Sequence, residues 1–278
     1  MKRCTILNTN INVTNMDEVL QTLDNCLEEK RGDYICVANV HTTVMAFRDE
    51  KYRKIQNESW MTIPDGKPLS LVSRKRGFAD AQRVPGPDLM VKVFEVSKEK
   101  GYRHFFYGST DQTLRMLREN IEKKYPYVDV VGMYSPPFRP LTEEEDQQIV
   151  TMINETNPDF VWVGLGAPKQ EIWMAEHKNK IQAIMIGVGA AFDFEAGVVK
   201  RAPKWMQEMY LEWLHRILQD PKRLIPRYVS TNAAFLWNVY KEGKQIHKDQ
   251  IKIAMIGHKR IPSREGGVEI VVYELAKR

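Results

Sequence analysis

The stretch that decides the fold is "DFVWVGLGAPKQEIWM", residues 159–174. It begins with an apolar run, turns at Gly164 and Gly166, and ends in a helical pattern that starts near Lys169. A buried strand followed by a glycine turn and a helix is typical of an α/β fold. The turn is not a GxGxxG fingerprint, because the third glycine is missing, and it lacks the GK[ST] ending of a Walker A loop. It therefore predicts a ligand other than a bare dinucleotide pyrophosphate. A dehydrogenase is disfavoured because no GxGxxG follows the first predicted strand.

The same alternation of short apolar runs and longer amphipathic stretches extends along most of the chain. The sequence predicts strands at 34–39, 104–108, 128–133, 159–164 and 183–189, and helices at about 16–29, 86–100, 110–124, 142–155 and 168–179. Such alternation predicts an α/β fold in which helices flank both faces of a mostly parallel sheet. Two helix starts match a capping box, Ser109 with Gln112 and Thr142 with Glu145.

Composition limits the classes of protein that fit. The chain has 278 residues, a formal net charge of +5, and three cysteines without a CxxC pair. An odd cysteine count without metal spacing indicates reduced thiols in a cytoplasmic protein. The N-terminus lacks the roughly 7–15 apolar residues of a signal peptide. No window approaches the ~20 apolar residues of a membrane-spanning helix, so membrane contact is expected only at the surface.

Glycines and polar residues follow the predicted strands at the point where each strand ends. The carboxyl ends of parallel strands form the edge at which such sheets bind ligands. The residues at this edge are Asn39, His41, Asp65, Gly66, Gly108, Ser109, 164–170 and 187–193. This composition favours close backbone approach to a ligand with many hydroxyls, such as a sugar nucleotide. The alternative is that the glycines only make tight strand-to-helix turns.

Two acidic positions are candidates for chemistry. Asp65 follows Pro64 at the end of an apolar stretch, where a carboxylate could act as a general base. Its alternative roles are to form an Asp-Gly turn or to cap the helix that begins near Lys67. Asp193 and Glu195 form a D-x-E pair that could hold a divalent cation bridging a diphosphate, although this spacing is common by chance.

A basic segment with aromatic residues spans residues 200–229. Apolar residues recur there at helical spacing, at Trp205, Met206, Met209, Tyr210, Trp213, Leu214, Ile217 and Leu218. Seven cations surround this stripe, at Lys200, Arg201, Lys204, Arg216, Lys222, Arg223 and Arg227. The pattern suits contact with an anionic membrane or a lipid phosphate. The alternative is a helix that packs its stripe on the core.

Several motifs together resemble the WecG/TagA/CpsF glycosyltransferase family. They are "PDG" (64–66), "PGPDL" (85–89), "GLGAPKQE" (164–171), "GVGAAFDFEAG" (187–197), "KRAPKWM" (200–206) and "EWLHRILQDPKR" (212–223). They occur in the family's order, and the resemblance runs from about residue 4 to 230. It implies a Rossmann-like sheet with a basic amphipathic helical appendage at about 200–240, close to the membrane.

The resemblance also implies an activity. Family members transfer a sugar, often N-acetylmannosamine, with inversion from a UDP donor to an undecaprenyl-diphosphate-linked sugar. The expected enzyme needs no cofactor and no recognised metal, has no nucleic-acid partner, and lies at the cytoplasmic face of the membrane. The donor sugar, the acceptor sugar and the formation of a homo-oligomer are left open. A different class of function, a sugar-nucleotide-binding module that tethers a second transferase, remains an alternative.

Residue roles follow from the same resemblance. It implies that Asp65 is the catalytic base, that Asn39 positions the sugar and that Gln170 contacts the substrate. The substrate-binding residues would be His41, Gly108, Ser109, Gly164, Gly166, Lys169, Asp193, Arg216, Arg223 and Arg227. The three arginines would neutralise the departing diphosphate. One departure concerns Val37, where the family has a threonine, and this puts the polar contacts around Asn39 in question.

The C-terminal tail does not fit this family. "IKIAMIG" (251–257) reads as a strand, followed by a glycine-containing loop and an amphipathic helix. This resembles the start of a GT-B-type, rhamnosyltransferase-like domain. The sequence therefore predicts a transferase domain at 1–245, and at 246–278 a linker and the first part of a second, truncated domain. The alternative is a strand and helix that dock on the first domain.

Overall fold

The computed structural model describes residues 1–209 and 211–249. Met1–Val239 form one compact unit, and the end of the last helix, from Tyr240, belongs to a second. The predicted second domain at 246–278 lies outside the described residues apart from its first four positions. Its existence stays a prediction.

A parallel sheet forms the centre of the first unit. Its strands lie in the order β4-β3-β8-β7-β5-β6, and all neighbours are parallel. The bounds are β3 (Tyr34–Ala38), β4 (Met61–Pro64), β5 (Arg103–Gly108), β6 (Asp129–Tyr134), β7 (Phe160–Gly164) and β8 (Ile184–Gly187). The predicted α/β fold with a parallel sheet is confirmed. The five predicted strands each lie within a few residues of an observed one, and β4 ends directly before Asp65.

Helices cover both faces of this sheet. They are α1 (Met16–Cys26), α2 (Val40–Arg48), α3 (Glu50–Glu58), α4 (Lys67–Lys75), α5 (Gly86–Lys100), α6 (Asp111–Lys124), α7 (Glu143–Glu155), α8 (Lys169–Glu176), α9 (Ala191–Glu195), α10 (Lys204–Glu208), α11 (Glu212–Gln219) and α12 (Pro221–Asp249). The capping box of Thr142 and Glu145 is confirmed at α7. The one at Ser109 is wrong, because Thr110 caps α6 and its hydroxyl accepts from Thr113 N.

The side chains of β3 show how the two layers form. Ile35 and Val37 point to one face, where they pack in a core with α1, α5 and α6. Tyr34 and Cys36 point to the other face, where the core includes α7 and α8. All four are buried, because a parallel strand covered on both faces needs apolar residues at successive positions.

A two-stranded antiparallel hairpin precedes the sheet, with strands β1 (Arg3–Ile6) and β2 (Thr9–Asn12). Its two-residue loop, Leu7 and Asn8, has φ of 48° and 63°, as the favoured type I′ hairpin turn requires. Buried hairpin residues share a core cluster with Leu69 of α4 and Phe235 of α12. The hairpin therefore helps to anchor the middle of α12 on the domain.

The appendage differs from the predicted single stripe. The chain leaves α10 after Glu208 and enters α11 at Glu212, so one continuous helical face across 205–218 is wrong. Met206 is buried, whereas Trp205, Trp213 and Leu218 are exposed. Tyr210 lies outside the described residues. None of the helices in the described part of the chain is long and apolar enough to cross a membrane.

Candidate active site

Asp65 and Asn39 come together at the carboxyl ends of β4 and β3. The Asp65 backbone N–H donates to the Ala38 carbonyl at 2.8 Å, which ties the residue after β4 to the end of β3. Gly66 lies against Asn39, since a Cβ at Gly66 would be 3.8 Å from the Cα and Cβ of Asn39. The ends of the neighbouring strands β3 and β4 thus place Asn39 and Asp65 next to each other at the carboxyl edge of the sheet.

One local alternative for Asp65, the N-cap of α4, is wrong. The N-cap position of α4 is Gly66, which has no side chain to accept a bond, and Pro68 supports the first turn. Proline is well suited there because its fixed φ favours the start of a helix. Asp65 is therefore one position too early to be the N-cap, and it remains a candidate for chemistry.

The side-chain oxygen of Asn39 caps the N-terminus of α2. Its Oδ1 accepts from the backbone N–H groups of His41 and Thr42 at 3.0 and 3.2 Å, and Thr42 completes a capping box. This leaves the Nδ2 amide as the group to offer a ligand. His41 lies in the first turn of α2.

Val37 packs in the core, and a Cβ added at Gly86 would be 3.4 Å from the Cγ1 of Val37. The cap of Asn39 thus forms without a hydroxyl at position 37.

The turn between β7 and α8 is closed by Gln170. The Oε1 of Gln170 accepts from the Gly166 N–H at 3.1 Å, and its Nε2 donates to Glu171 Oε1 at 2.9 Å. The end of β8 leaves room for this carboxamide, because a Cβ at Gly187 would be 3.0 Å from Nε2. A Cβ at Gly189, which has φ of 54°, would be 3.5 Å from Oε1 of Gln170. Gln170 is only 4% exposed, so it forms the inner wall of the turn.

Two of the predicted glycines are explained by contacts inside the protein. A Cβ at Gly108 would be 2.7 Å from the carbonyl carbon of Gly164, and one at Gly164 would be 2.6 Å from the Phe192 ring. The tight-turn alternative accounts for both. Gly166 differs, because it has φ of 77° and no described atom lies within 4 Å of its added Cβ. Ser109, the residue after Gly108, has φ of 59°, and its backbone N–H donates to the Gly164 carbonyl oxygen at 3.2 Å.

Replacing Gly108 with alanine is expected to destabilise the domain by about 2–4 kcal/mol, since a positive φ and a steric clash add together. Urea unfolding would measure this. Gly77→Ala is the matched control, because Gly77 has φ of 94° with no described atom near its added Cβ, and it should cost about 1 kcal/mol. Equal losses in the two variants would contradict the close approach of β5 and β7.

The D-x-E pair does not form a metal site in this geometry. Asp193 and Glu195 both lie in α9, and residues two positions apart on a helix point to different sides. Glu195 Oε2 forms an ion pair with Lys124 Nζ of α6 at 3.1 Å. Among the described residues, no group of three or more His, Cys, Asp or Glu side chains could hold a metal ion.

The cationic residues predicted for the site are only partly placed. Lys169 is the first residue of α8 and is exposed. Arg216 is in α11, and Arg223 and Arg227 are in α12, but their side chains lie outside the described part of the structure. The prediction that these arginines meet the diphosphate therefore stays a prediction.

An ion-pair group that sequence analysis missed ties the appendage to the sheet domain. Arg201 contacts Asp88 of α5 at 2.5 Å and Glu212 of α11 at 3.1 Å, and Glu212 also lies 3.7 Å from Arg83. Burial alone would lower the pKa of Arg201, but the two carboxylates outweigh it and raise the pKa. Asp88 and Arg201 are 113 positions apart. No local spacing could have predicted this pair.

The fold and these side chains define an α/β protein with a candidate polar site at the carboxyl edge of a parallel sheet. Comparison with known proteins gives the family. Residues 4–249 match the model of the glycosyl transferase WecG/TagA/CpsF family, so the chain belongs to this family and is a glycosyltransferase.

Three relatives illustrate the similarity, and each is called N-acetylglucosaminyldiphosphoundecaprenol N-acetyl-beta-D-mannosaminyltransferase. The Bacillus subtilis (strain 168) protein is 31% identical, over 80% of this chain and 86% of its own length. The Bacillus spizizenii protein is 29% identical, over 73% and 80%. The Staphylococcus aureus (strain MW2) protein is 26% identical, over 77% and 82%. The predicted family resemblance is confirmed.

Proposed function

We propose that this chain transfers an N-acetyl-β-D-mannosaminyl residue from a UDP-sugar to N-acetylglucosaminyl-diphosphoundecaprenol, as the names of its relatives suggest for the sugar and the acceptor. The observation that carries the proposal is the placement of Asp65 beside Asn39 at the edge of the sheet. A base and a sugar-binding amide are needed there together.

In the proposed reaction, an acceptor hydroxyl oxygen attacks the anomeric carbon of the donor as Asp65 removes the hydroxyl proton. The bond from the anomeric carbon to the diphosphate oxygen breaks, and UDP leaves with the electron pair. A single displacement of this kind inverts the anomeric configuration. Asn39 and Gln170 orient the sugar, while Arg216, Arg223 and Arg227 stabilise the charge on the leaving diphosphate.

We further propose that the appendage contacts an anionic membrane at its cytoplasmic face, where the lipid acceptor resides. Exposed apolar residues occur on α10, α11 and α12, including Trp205, Trp213 and Trp237. Exposed lysines lie in the same segment, at Lys200, Lys204 and Lys222. Aromatic and cationic side chains together favour the headgroup boundary of anionic lipids.

The test is transfer of radiolabelled sugar from UDP-N-acetylmannosamine to a lipid-linked N-acetylglucosamine diphosphate. The wild-type chain should form the disaccharide lipid with release of one UDP for each sugar transferred. Binding of the donor without turnover would favour the tethering module instead. If turnover occurs only with another UDP-sugar, the proposed donor is wrong, but the chain is still a UDP-sugar-dependent glycosyltransferase.

The metal-dependent alternative is decided in the same assay. Because Asp193 and Glu195 diverge on α9 and Glu195 pairs with Lys124, we expect unchanged turnover when a chelator such as EDTA is present. Loss of turnover that returns with added Mg²⁺ or Mn²⁺ would contradict this expectation.

A further inference from the structure

Glu171 is a buried carboxyl group directly behind the turn between β7 and α8. It is 1% exposed and its side chain points into the protein, where α8 packs against α3. Burial raises its pKa, although hydrogen bonds from its surroundings oppose the shift. Charged side chains are almost never this buried without a partner, so the contacts of Glu171 need an explanation.

The partner on the side of the site is Gln170. The Gln170 carboxamide donates from Nε2 to Glu171 Oε1 and accepts at Oε1 from the Gly166 N–H. A primary amide has two N–H donors and two acceptor lone pairs. These two contacts use one of each, which leaves one donor and one acceptor for sugar hydroxyls.

Polar residues of α3 lie on the far side of Glu171. Tyr52 faces the Glu171 carboxyl, and Gln56 Nε2 donates to the Tyr52 hydroxyl oxygen at 3.0 Å. In the described part of the chain, Oε2 of Glu171 has no hydrogen-bond partner, so the side chain that hydrogen-bonds to this carboxyl is Gln170.

We propose that Glu171 is a positioning residue that fixes which way the Gln170 carboxamide faces. Its oxygen draws the amide group inward, so the carbonyl oxygen must face Gly166 and hold the turn at residues 164–168. With this orientation fixed, the remaining donor and acceptor of Gln170 are preset for the hexose of the donor. The inference rests on the proposed function, since it assigns Gln170 to that donor.

A double-mutant cycle separates positioning from a structural role. Binding of UDP-N-acetylmannosamine is measured by calorimetry without acceptor, and KM and kcat are measured with it. Gln170→Ala should weaken donor binding roughly 5–10-fold, the effect of one or two lost hydrogen bonds. Glu171→Ala should weaken it about as much, raising KM more than it lowers kcat. The double variant should match Gln170→Ala, because Glu171 acts only through Gln170.

Conservative and control variants complete the experiment. Glu171→Gln keeps an acceptor oxygen of the same reach and should recover most of the lost affinity. Glu176→Ala, on the exposed face of the same helix, should bind the donor as the wild type does. If Glu171→Ala does not fold, Glu171→Met takes its place in the cycle, because it fills similar volume without a carboxyl acceptor.

Several outcomes would overturn the proposal. Losses that multiply in the double variant, or a Gln variant as weak as the Ala variant, would leave Glu171 a structural residue only. Unchanged binding by Gln170→Ala would mean that there is nothing to position. Absence of donor binding by the wild type would instead reject the donor of the proposed function, which is a distinguishable failure.

Discussion

Replacing Asp65 with alanine is expected to lower kcat by at least about 100-fold, since a positioned base contributes roughly 10²–10⁴ to such reactions. Without the carboxylate, the acceptor hydroxyl must lose its proton to water while it attacks the anomeric carbon. Donor binding should change little, because Asp65 acts on the acceptor. The measurement is steady-state transfer of N-acetylmannosamine to the lipid acceptor, beside calorimetric titration of the donor.

Two further variants make the Asp65 result interpretable. Asp65→Asn keeps the size of the side chain and removes only its basicity, so it should be nearly as inactive as the alanine variant. Asp80→Ala changes an exposed aspartate in the segment between α4 and α5 and should leave kcat unchanged. Undiminished turnover in Asp65→Ala would reject its role as the base. If Asp65→Ala does not fold and Asp65→Asn does, the kcat of Asp65→Asn decides whether Asp65 is the base.

The strands were the most predictable part of this molecule. The inner strands of the parallel sheet are buried on both faces, so runs such as Phe160–Val163 are continuously apolar and can be recognised without other information. The ligand edge followed from the same pattern, because it depends only on where each strand ends. The proximity of Asn39 and Asp65 required one more fact, that β3 and β4 are neighbours.

Contacts between distant segments could not be predicted in this way. The N-cap of α4 is Gly66 and not Asp65, and local propensity does not resolve a difference of one residue. The appendage stripe was misjudged because helical spacing continues across the break between α10 and α11. Glu171 is an acidic residue in the first turn of α8, and it is buried where α8 packs against α3, more than a hundred positions away in the sequence.

The second large effect is expected in membrane binding. Trp205, Trp213 and Trp237 are 56%, 45% and 59% exposed on α10, α11 and α12. Partial insertion of each indole is expected to contribute about 1 kcal/mol from apolar area removed from water. Replacing all three with serine should therefore weaken binding to vesicles of phosphatidylglycerol and phosphatidylcholine roughly 100-fold. Sedimentation of the protein with vesicles measures this, and urea unfolding should detect little change because the side chains are exposed.

The matched control uses an apolar side chain outside the appendage. Phe138 is 90% exposed in the segment between β6 and α7, so Phe138→Ser removes an exposed aromatic ring without touching α10–α12. If the appendage is the membrane surface, this variant binds vesicles as the wild type does, and wild-type binding weakens as salt screens the lysines. An equal loss of vesicle affinity in the Phe138 and tryptophan variants would mean that exposed aromatic residues bind lipid non-specifically, wherever they lie. In that case the lipid acceptor would have to reach Asp65 without help from the appendage, and turnover with vesicle-bound acceptor should be the same in the triple variant and the wild type.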